Sequence, residues 1–218
     1  MNEAEIIAAR RLRPPPGEEF WVFAYGSLMW RPGFRCLESR PALLRGYHRA
    51  FCIYSVRYRG TPERPGLVLG LDRGGACRGR ALRVAAEDAE AVAAYLHERE
   101  MVTGVYEPRW LPVEVEGGRI RAATYVADRR HAQYTGKLDP ELIAEMILAG
   151  VGAAGSNRDY LENTVRHLDE LGITDCALHE LLRLVEAKAG AGHDRSRAPA
   201  VGGGRRTGGK TVGEEREC

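Results

Sequence analysis

Glu100 is a carboxylate on what should be the apolar side of a helix. Residues 87–100 carry apolar side chains at 89, 92, 93 and 96, the spacing of an amphipathic helix. With Ala89 at the origin and a step of about 100° per residue, Val92 falls at about 300°, Ala93 at about 40° and Leu96 at about 340°. Glu100 lands at about 20°, in the middle of the stripe, whereas Glu98 points the other way. A carboxylate turned inward is desolvated, and the negative end of the helix dipole beside it acts in the same direction; both raise its proton affinity. The result is a group poised for general acid–base work. A frayed last turn, or an internal ion pair with an arginine such as Arg109, would produce the same pattern without chemistry.

The second chemical feature is the run Phe23-Ala24-Tyr25-Gly26-Ser27-Leu28-Met29-Trp30. A hydrophobic strand enters Tyr-Gly-Ser and leaves through Leu-Met-Trp. Glycine just after a strand permits unusual backbone angles and close approach of a ligand. Successive N–H groups there can form a nest for a carboxylate. A bulged strand end would look the same.

The elements that must position these residues fall in a clear order. Strands are expected at 20–25, 43–54, 66–71, 77–84, 109–115 and 119–126, short β-rich runs separated by Gly/Pro punctuation, with Glu116-Gly117-Gly118 as a tight hairpin. Helices then dominate. Asp139 before Pro140 caps a helix that stops at Gly150. Ser156 or Asn157 caps the next, which buries Leu161, Val165 and Leu168 and ends at Gly172. A last one follows Thr174. The pattern is α+β, a mixed sheet with one inserted helix and a helical C-terminal third. A lead-in at 1–17, a single domain at 18–187 and a disordered Gly/Arg-rich tail at 188–218 are expected; the tail has too little apolar surface to offset its ordering entropy.

Composition narrows the function classes. The chain has 218 residues, 44% hydrophobic and 28% charged, with a net charge of +2. The segment 188–218 carries seven basic and four acidic residues, so the remainder is nearly neutral and has no general field for nucleic acid or anionic lipid. No apolar run approaches the ~20 residues of a membrane span, and no leader opens the chain. Five scattered cysteines without a C-x-x-C suggest free thiols in a reducing cytoplasm. The six histidines show no metal-ligand spacing, and His167 and His179 read as solvated. No metal and no cofactor are expected. Gly204–Thr211 fits a Walker A string, but no strand feeds it and it lies in the tail. Gly150, Gly152 and Gly155 fit G-x-G-x-x-G, yet a helix precedes them, so a plain helix–helix connection is preferred to a dinucleotide site.

The loop and the carboxylate, in this order, resemble the ChaC-like family of glutathione-specific gamma-glutamylcyclotransferases. The resemblance covers residues 20–185. Ala24-Tyr25-Gly26-Ser27-Leu28 matches the family's GYGSL loop, with alanine for the first glycine. Gly46-Tyr47-His48-Arg49-Ala50-Phe51 matches its G-[YW]-x-R-x-F strand. Ser55 and the run from Arg59-Gly60-Thr61 to Gly66 match S-x-x-H-R-G-T…P-G, with Tyr58 where histidine is usual. Arg99-Glu100, Gly104 and Tyr106 match R-E…G-x-Y; Gly155, Asn157, Tyr160 and Leu161 match G-x-N-x-x-Y-L. The resemblance implies a small mixed β-barrel or curled sheet with flanking helices. It also implies conversion of glutathione to 5-oxoproline and cysteinylglycine, without metal or cofactor. Glu100 would be catalytic, and Val22, Phe23, Ala24, Tyr25, Gly26, Ser27, Leu28, Ser55, Arg59, Gly60 and Tyr160 would bind substrate. A monomer is expected. Two alternatives stay open: a cyclotransferase on other γ-glutamyl amino acids or amines, and a non-catalytic binding module on the same fold.

Overall fold

In the computed structural model, which describes residues 3–196, five strands close into a barrel. They are β1 (Phe20–Ala24), β2 (Glu38–Ser55), β3 (Gly66–Val84), β4 (Tyr106–Val115) and β5 (Gly118–Ala127), in the order β1-β3-β2-β4-β5. All pairs are antiparallel except the closing one, in which β1 runs parallel to β5 through Trp21 and Val22. This is the mixed, curled sheet expected from sequence. Closure hides the edges that an open sheet would expose.

Two of the expected strands, 66–71 and 77–84, are one. β3 pairs with β2 along its whole length, and the irregularity between Arg45 and Tyr47 absorbs the glycines read as a break. Gly46, Gly74 and Gly75 all adopt positive φ there, so the punctuation marks a bulge within a long hairpin. The Glu116–Gly117 turn joins β4 to β5 as expected, Val115 facing Gly118.

Helices pack around this barrel. A short α1 (Glu3–Ala9) precedes it, and Leu12 of the lead-in is buried in the core. Between β3 and β4 a 3-10 turn at Ala86–Asp88 leads into α2 (Ala89–Glu100), which buries Ala89, Val92, Ala93 and Leu96, the stripe that the helical wheel defines. The C-terminal third holds α3 (Pro140–Ala149), α4 (Asn157–Glu170) and α5 (Cys176–Ser196). Asp139 caps α3 by accepting from the Glu141 N–H, and Ser156 caps α4 by accepting from Asp159. α5 continues past residue 187 to Ser196, and Lys188 Nζ lies 2.7 Å from Glu141 and 3.0 Å from Glu145. The helix thus crosses the point where composition begins to read as tail; the Walker-like string at 204–211 lies outside the described residues.

The glycines of the G-x-G-x-x-G run have a structural purpose. Residues 151–152 (β6) and 155–156 (β7) form a minute hairpin against the 57–60 segment. A Cβ on Gly152 would stand 2.6 Å from the Gly60 nitrogen and the Tyr58 carbonyl, and one on Gly150 would stand 2.6 Å from the Arg59 carbonyl. Backbone meets backbone here, which only glycine allows. Among the described residues no helix is long and apolar enough to cross a membrane.

Candidate active site

The loop after β1 turns into a single 3-10 turn, Ser27–Met29, with Gly26 in the capping position. Such a turn leaves the N–H groups of Ser27 and Leu28 without an intrahelical acceptor. Gly26 has a negative φ of −134°, so left-handed backbone is not what requires it. A Cβ there would sit 3.9 Å from Leu69, and glycine keeps that volume empty. Arg49 fixes the loop from behind. Its buried guanidinium donates to the Tyr25 carbonyl at 2.5 Å and to the Arg78 carbonyl at 2.7 Å, and pairs with Asp175 at 2.5 Å.

Facing the loop is a small chamber of ≈ 70 Å³, whose walls include Phe23, Tyr25, Gly26, Ser27, Leu28 and Glu100. Leu69, Tyr106, Thr124, Tyr125 and Tyr160 complete it. The Glu100 side chain is 18% exposed. Burial pushes its proton affinity above the usual carboxylate range, against the lowering effect of Arg99. The ion pair is with this chain neighbour, Arg99 Nε to Glu100 Oε1 at 3.2 Å, and not with Arg109, which pairs with Glu107. Arg99 also donates to Ser27 Oγ at 2.9 Å, to the Arg31 carbonyl at 2.9 Å and to Tyr95 at 2.8 Å. One guanidinium therefore ties the last turn of α2 to the loop.

Tyr160 arrives from α4. Three residues earlier, the fully buried Asn157 grips strand β3: Oδ1 accepts from the Leu67 N–H at 2.6 Å and Nδ2 donates to the Leu67 carbonyl at 2.7 Å. That amide pair docks the helix, and the next turn delivers Tyr160 into the chamber. Burial pushes its phenol up to about 12. Burial, with Glu100 nearby, also holds Tyr25, Tyr106 and Tyr125 above their ordinary values.

The chamber opens into a cleft of ≈ 680 Å³ that shares Ser27, Glu100, Tyr106 and Tyr160 with it. Ser55, Arg57, Tyr58 and Arg59 line this outer part. Of the residues expected from sequence, Phe23, Tyr25, Gly26, Ser27, Leu28, Glu100 and Tyr160 meet in the chamber, while Ser55 and Arg59 lie in the cleft. Val22, Ala24 and Gly60 line neither. Val22 and Ala24 are buried strand residues, and Gly60 packs against the backbones of Gly66, Arg64 and Ser55. Ser55 Oγ accepts from the Arg59 N–H, and the Arg59 guanidinium donates to the Ala154 and Ser156 carbonyls while covering the Tyr160 ring at 5.0 Å. These two hold the cleft's walls.

Sequence reasoning left out Tyr106 and Tyr125 as site residues, and Arg99 as the partner of Glu100. A second groove, between the lead-in and β4, is lined by Arg10, Arg11, Arg13, Arg109 and Arg130, and its one acid, Glu107, is paired with Arg109 and Arg130. Among the described residues no group of three or more His, Cys, Asp or Glu could hold a metal. His167 stacks on Trp30 and meets Glu170, and His179 bonds Asp169 and the Asp175 carbonyl, so both are partnered where solvation was expected.

Comparison with known proteins gives the family and the fold. The family described as ChaC-like protein matches residues 20–188. A glutathione-specific gamma-glutamylcyclotransferase of Escherichia coli (strain K12) is 38% identical over 180 residues, covering 82% of this chain and 78% of its own length. The human glutathione-specific gamma-glutamylcyclotransferase 1 is 36% identical over 149 residues, 66% of this chain and 67% of that one. In fold, a yeast gamma-glutamylcyclotransferase specific to glutathione superimposes with a TM-score of 0.72 at 22% identity, over 78% of this chain and 96% of the other.

Proposed function

The chain belongs to the ChaC-like family, and from that premise we propose that it cleaves glutathione to 5-oxoproline and cysteinylglycine, with Glu100 as the proton-transfer group. The observation that carries this reading is a desolvated carboxylate on the wall of a small chamber that Ser27 and Leu28 also line. The reaction is intramolecular. The α-amine nitrogen of the γ-glutamyl group attacks its own γ-carbonyl carbon, the five-membered lactam forms, and the bond to the cysteinyl nitrogen breaks. Near neutrality the amine is an ammonium: it gives up one proton to become the nucleophile and a second as the lactam N–H forms, while the departing nitrogen gains two and leaves as an ammonium. Glu100 relays the proton lost in ring closure to the departing nitrogen, the other is exchanged with solvent, and no water is consumed.

What remains is to fold the substrate so that amine and carbonyl meet. The 25–28 loop would do this by holding the α-carboxylate on its N–H groups, with Tyr160 beside it. The small chamber accepts one end of the substrate and leaves the cysteinylglycine arm to the cleft. There the cations are unequal. Arg59 and Arg99 are spent on protein acceptors, whereas the exposed Arg57 guanidinium lies over the Tyr58 ring, at 5.7 Å, with no carboxylate against it among the described residues. We assign Arg57 to the terminal carboxylate of glutathione, which favours this substrate over shorter γ-glutamyl amino acids. Arg57→Met should raise KM for glutathione about tenfold, the worth of one charge-assisted hydrogen bond in a half-open site, with kcat unchanged. KM for γ-glutamylalanine, whose carboxylate ends one residue short, should stay put; equal changes for both substrates would remove Arg57 from this role.

The test of the reading itself is the purified protein with glutathione, assayed for both products. Equimolar 5-oxoproline and cysteinylglycine support it. 5-Oxoproline from γ-glutamyl amino acids alone would move the protein to the sister activity, and silence on both would favour a binding module. The same reading carries a monomer in the cytoplasm, with one catalytic unit over residues 18–187.

A further inference from the structure

Among the described residues, one polar atom of the chamber is sealed from solvent and unused by the fold. Tyr125 projects from β5, only 2% exposed, and its hydroxyl is sealed from solvent without a hydrogen-bond partner among the described residues. Two of its neighbours are occupied: Tyr106 donates to the Leu69 carbonyl at 2.7 Å and Thr124 to the Phe23 carbonyl at 3.0 Å. A buried hydroxyl left unpaired is destabilising, and native structures hold few of them. Phenylalanine would fill the same space without that cost, so the oxygen at this position calls for a partner that arrives with the ligand.

We propose that the Tyr125 hydroxyl donates to the γ-carbonyl oxygen of the substrate and stabilises the oxyanion that forms as the ring closes. The inference rests on the cyclotransferase reading and follows from dividing the γ-glutamyl head among the groups present. Its α-carboxylate goes to the Ser27 and Leu28 N–H groups, and its amine to Glu100. The γ-carbonyl oxygen is then the polar atom without a donor, and among the described chamber residues Tyr125 carries the hydroxyl that is sealed from solvent and without an acceptor. Placement is rigid. Tyr125 faces Pro108 across the β4–β5 ladder, and the closing contact of β5 with β1 lies two residues away at Ala123. A donor fixed on a strand is already oriented when charge develops. Burial and the Glu100 carboxylate hold the phenol in its protonated, donating form. During the step the hydroxyl keeps its proton; the amine proton travels through Glu100 as before.

Tyr125→Phe tests this against both alternatives. The expected result is a fall in kcat of ~10²–10³-fold, typical of one lost oxyanion donor, with KM for glutathione within about threefold of wild type. Thermal stability should be unchanged or higher, since the variant deletes an unsatisfied hydroxyl. Wild-type kcat in the variant would overturn the proposal. So would a raised KM at constant kcat, which would give the hydroxyl to ground-state binding, or a lowered melting temperature, which would make it structural. Wild-type protein run in parallel separates the two levels. If it fails on glutathione, the cyclotransferase reading falls and this inference with it; if it turns over and Tyr125→Phe does too, only the role of Tyr125 falls.

Discussion

Glu100→Gln is expected to lower kcat ~10²–10⁴-fold, the range for a lost general acid–base group, and to leave KM for glutathione close to wild type. Glutamine keeps the volume and can still accept from Arg99, so the chamber should persist while its proton carrier is gone. Near-wild-type turnover would end the assignment. The pH dependence gives an independent check. Activity needs the ionised carboxylate to accept a proton, and burial has moved its titration upward. The acid limb of kcat/KM should therefore lie above the ordinary carboxylate range and vanish in the variant. Stability moves the other way. Because the folded-state pKa is raised, the contribution of Glu100 is fully present below its unfolded pKa and lost as pH rises through the folded one. Glutamine titrates nowhere, so the variant's melting temperature should gain on wild type as pH rises from the ordinary carboxylate range through the raised folded value. A variant that loses ground to wild type over that span would contradict a raised carboxylate.

Asp175→Asn should have the largest effect on stability. The Arg49 side chain is only 1% exposed, and Asp175 is its one carboxylate partner. Removing one member of a buried pair leaves the other charge uncompensated, at about 3–5 kcal/mol. For a chain of this size that is a melting temperature lower by roughly 6–20 °C. Arg49 also holds the Tyr25 carbonyl, so the damage should reach the loop and raise KM for glutathione in whatever fraction stays folded. Thermal denaturation and steady-state kinetics on the same preparation measure both. A melting temperature within about 2 °C of wild type would show that the pair is not the anchor described.

Local patterns carried much of this. The wheel position of Glu100, the Asp139 and Ser156 caps and the Glu116–Gly117 turn each rest on neighbours in the chain, and each is where the residues place it. What spacing alone does not carry is the meeting of distant segments. Gly74-Gly75 reads as a break because nothing local says that Gly46 lies opposite to share a bulge. Gly60 and Gly152 read as loop residues because neither announces the other's backbone. Tyr125 lies in Ala-Ala-Thr-Tyr-Val-Ala, apolar on both sides of the strand, and so resembles core. Only closure turns its face toward Glu100. Arg99 was hidden for a different reason: a wheel shows which side a residue starts from, not how far a long side chain bends back.

The parallel seam between β1 and β5 also governs when the site comes into being. The β2–β3 and β4–β5 hairpins join neighbours and can form as the chain is made. β1 can pair with β3, but its parallel seam must wait for a partner about a hundred residues further on, the kind of long-range pairing that slows folding. The loop at residues 25–28 is the continuation of β1, and the Tyr125 wall is part of β5. A nascent chain still emerging from the ribosome can therefore hold the β2–β3 hairpin and α2 with Glu100 in place, yet have no chamber. Glutathione meets a working site only after β5 has closed the seam and α4 has brought in Tyr160, so the site is among the last parts of the fold to be completed.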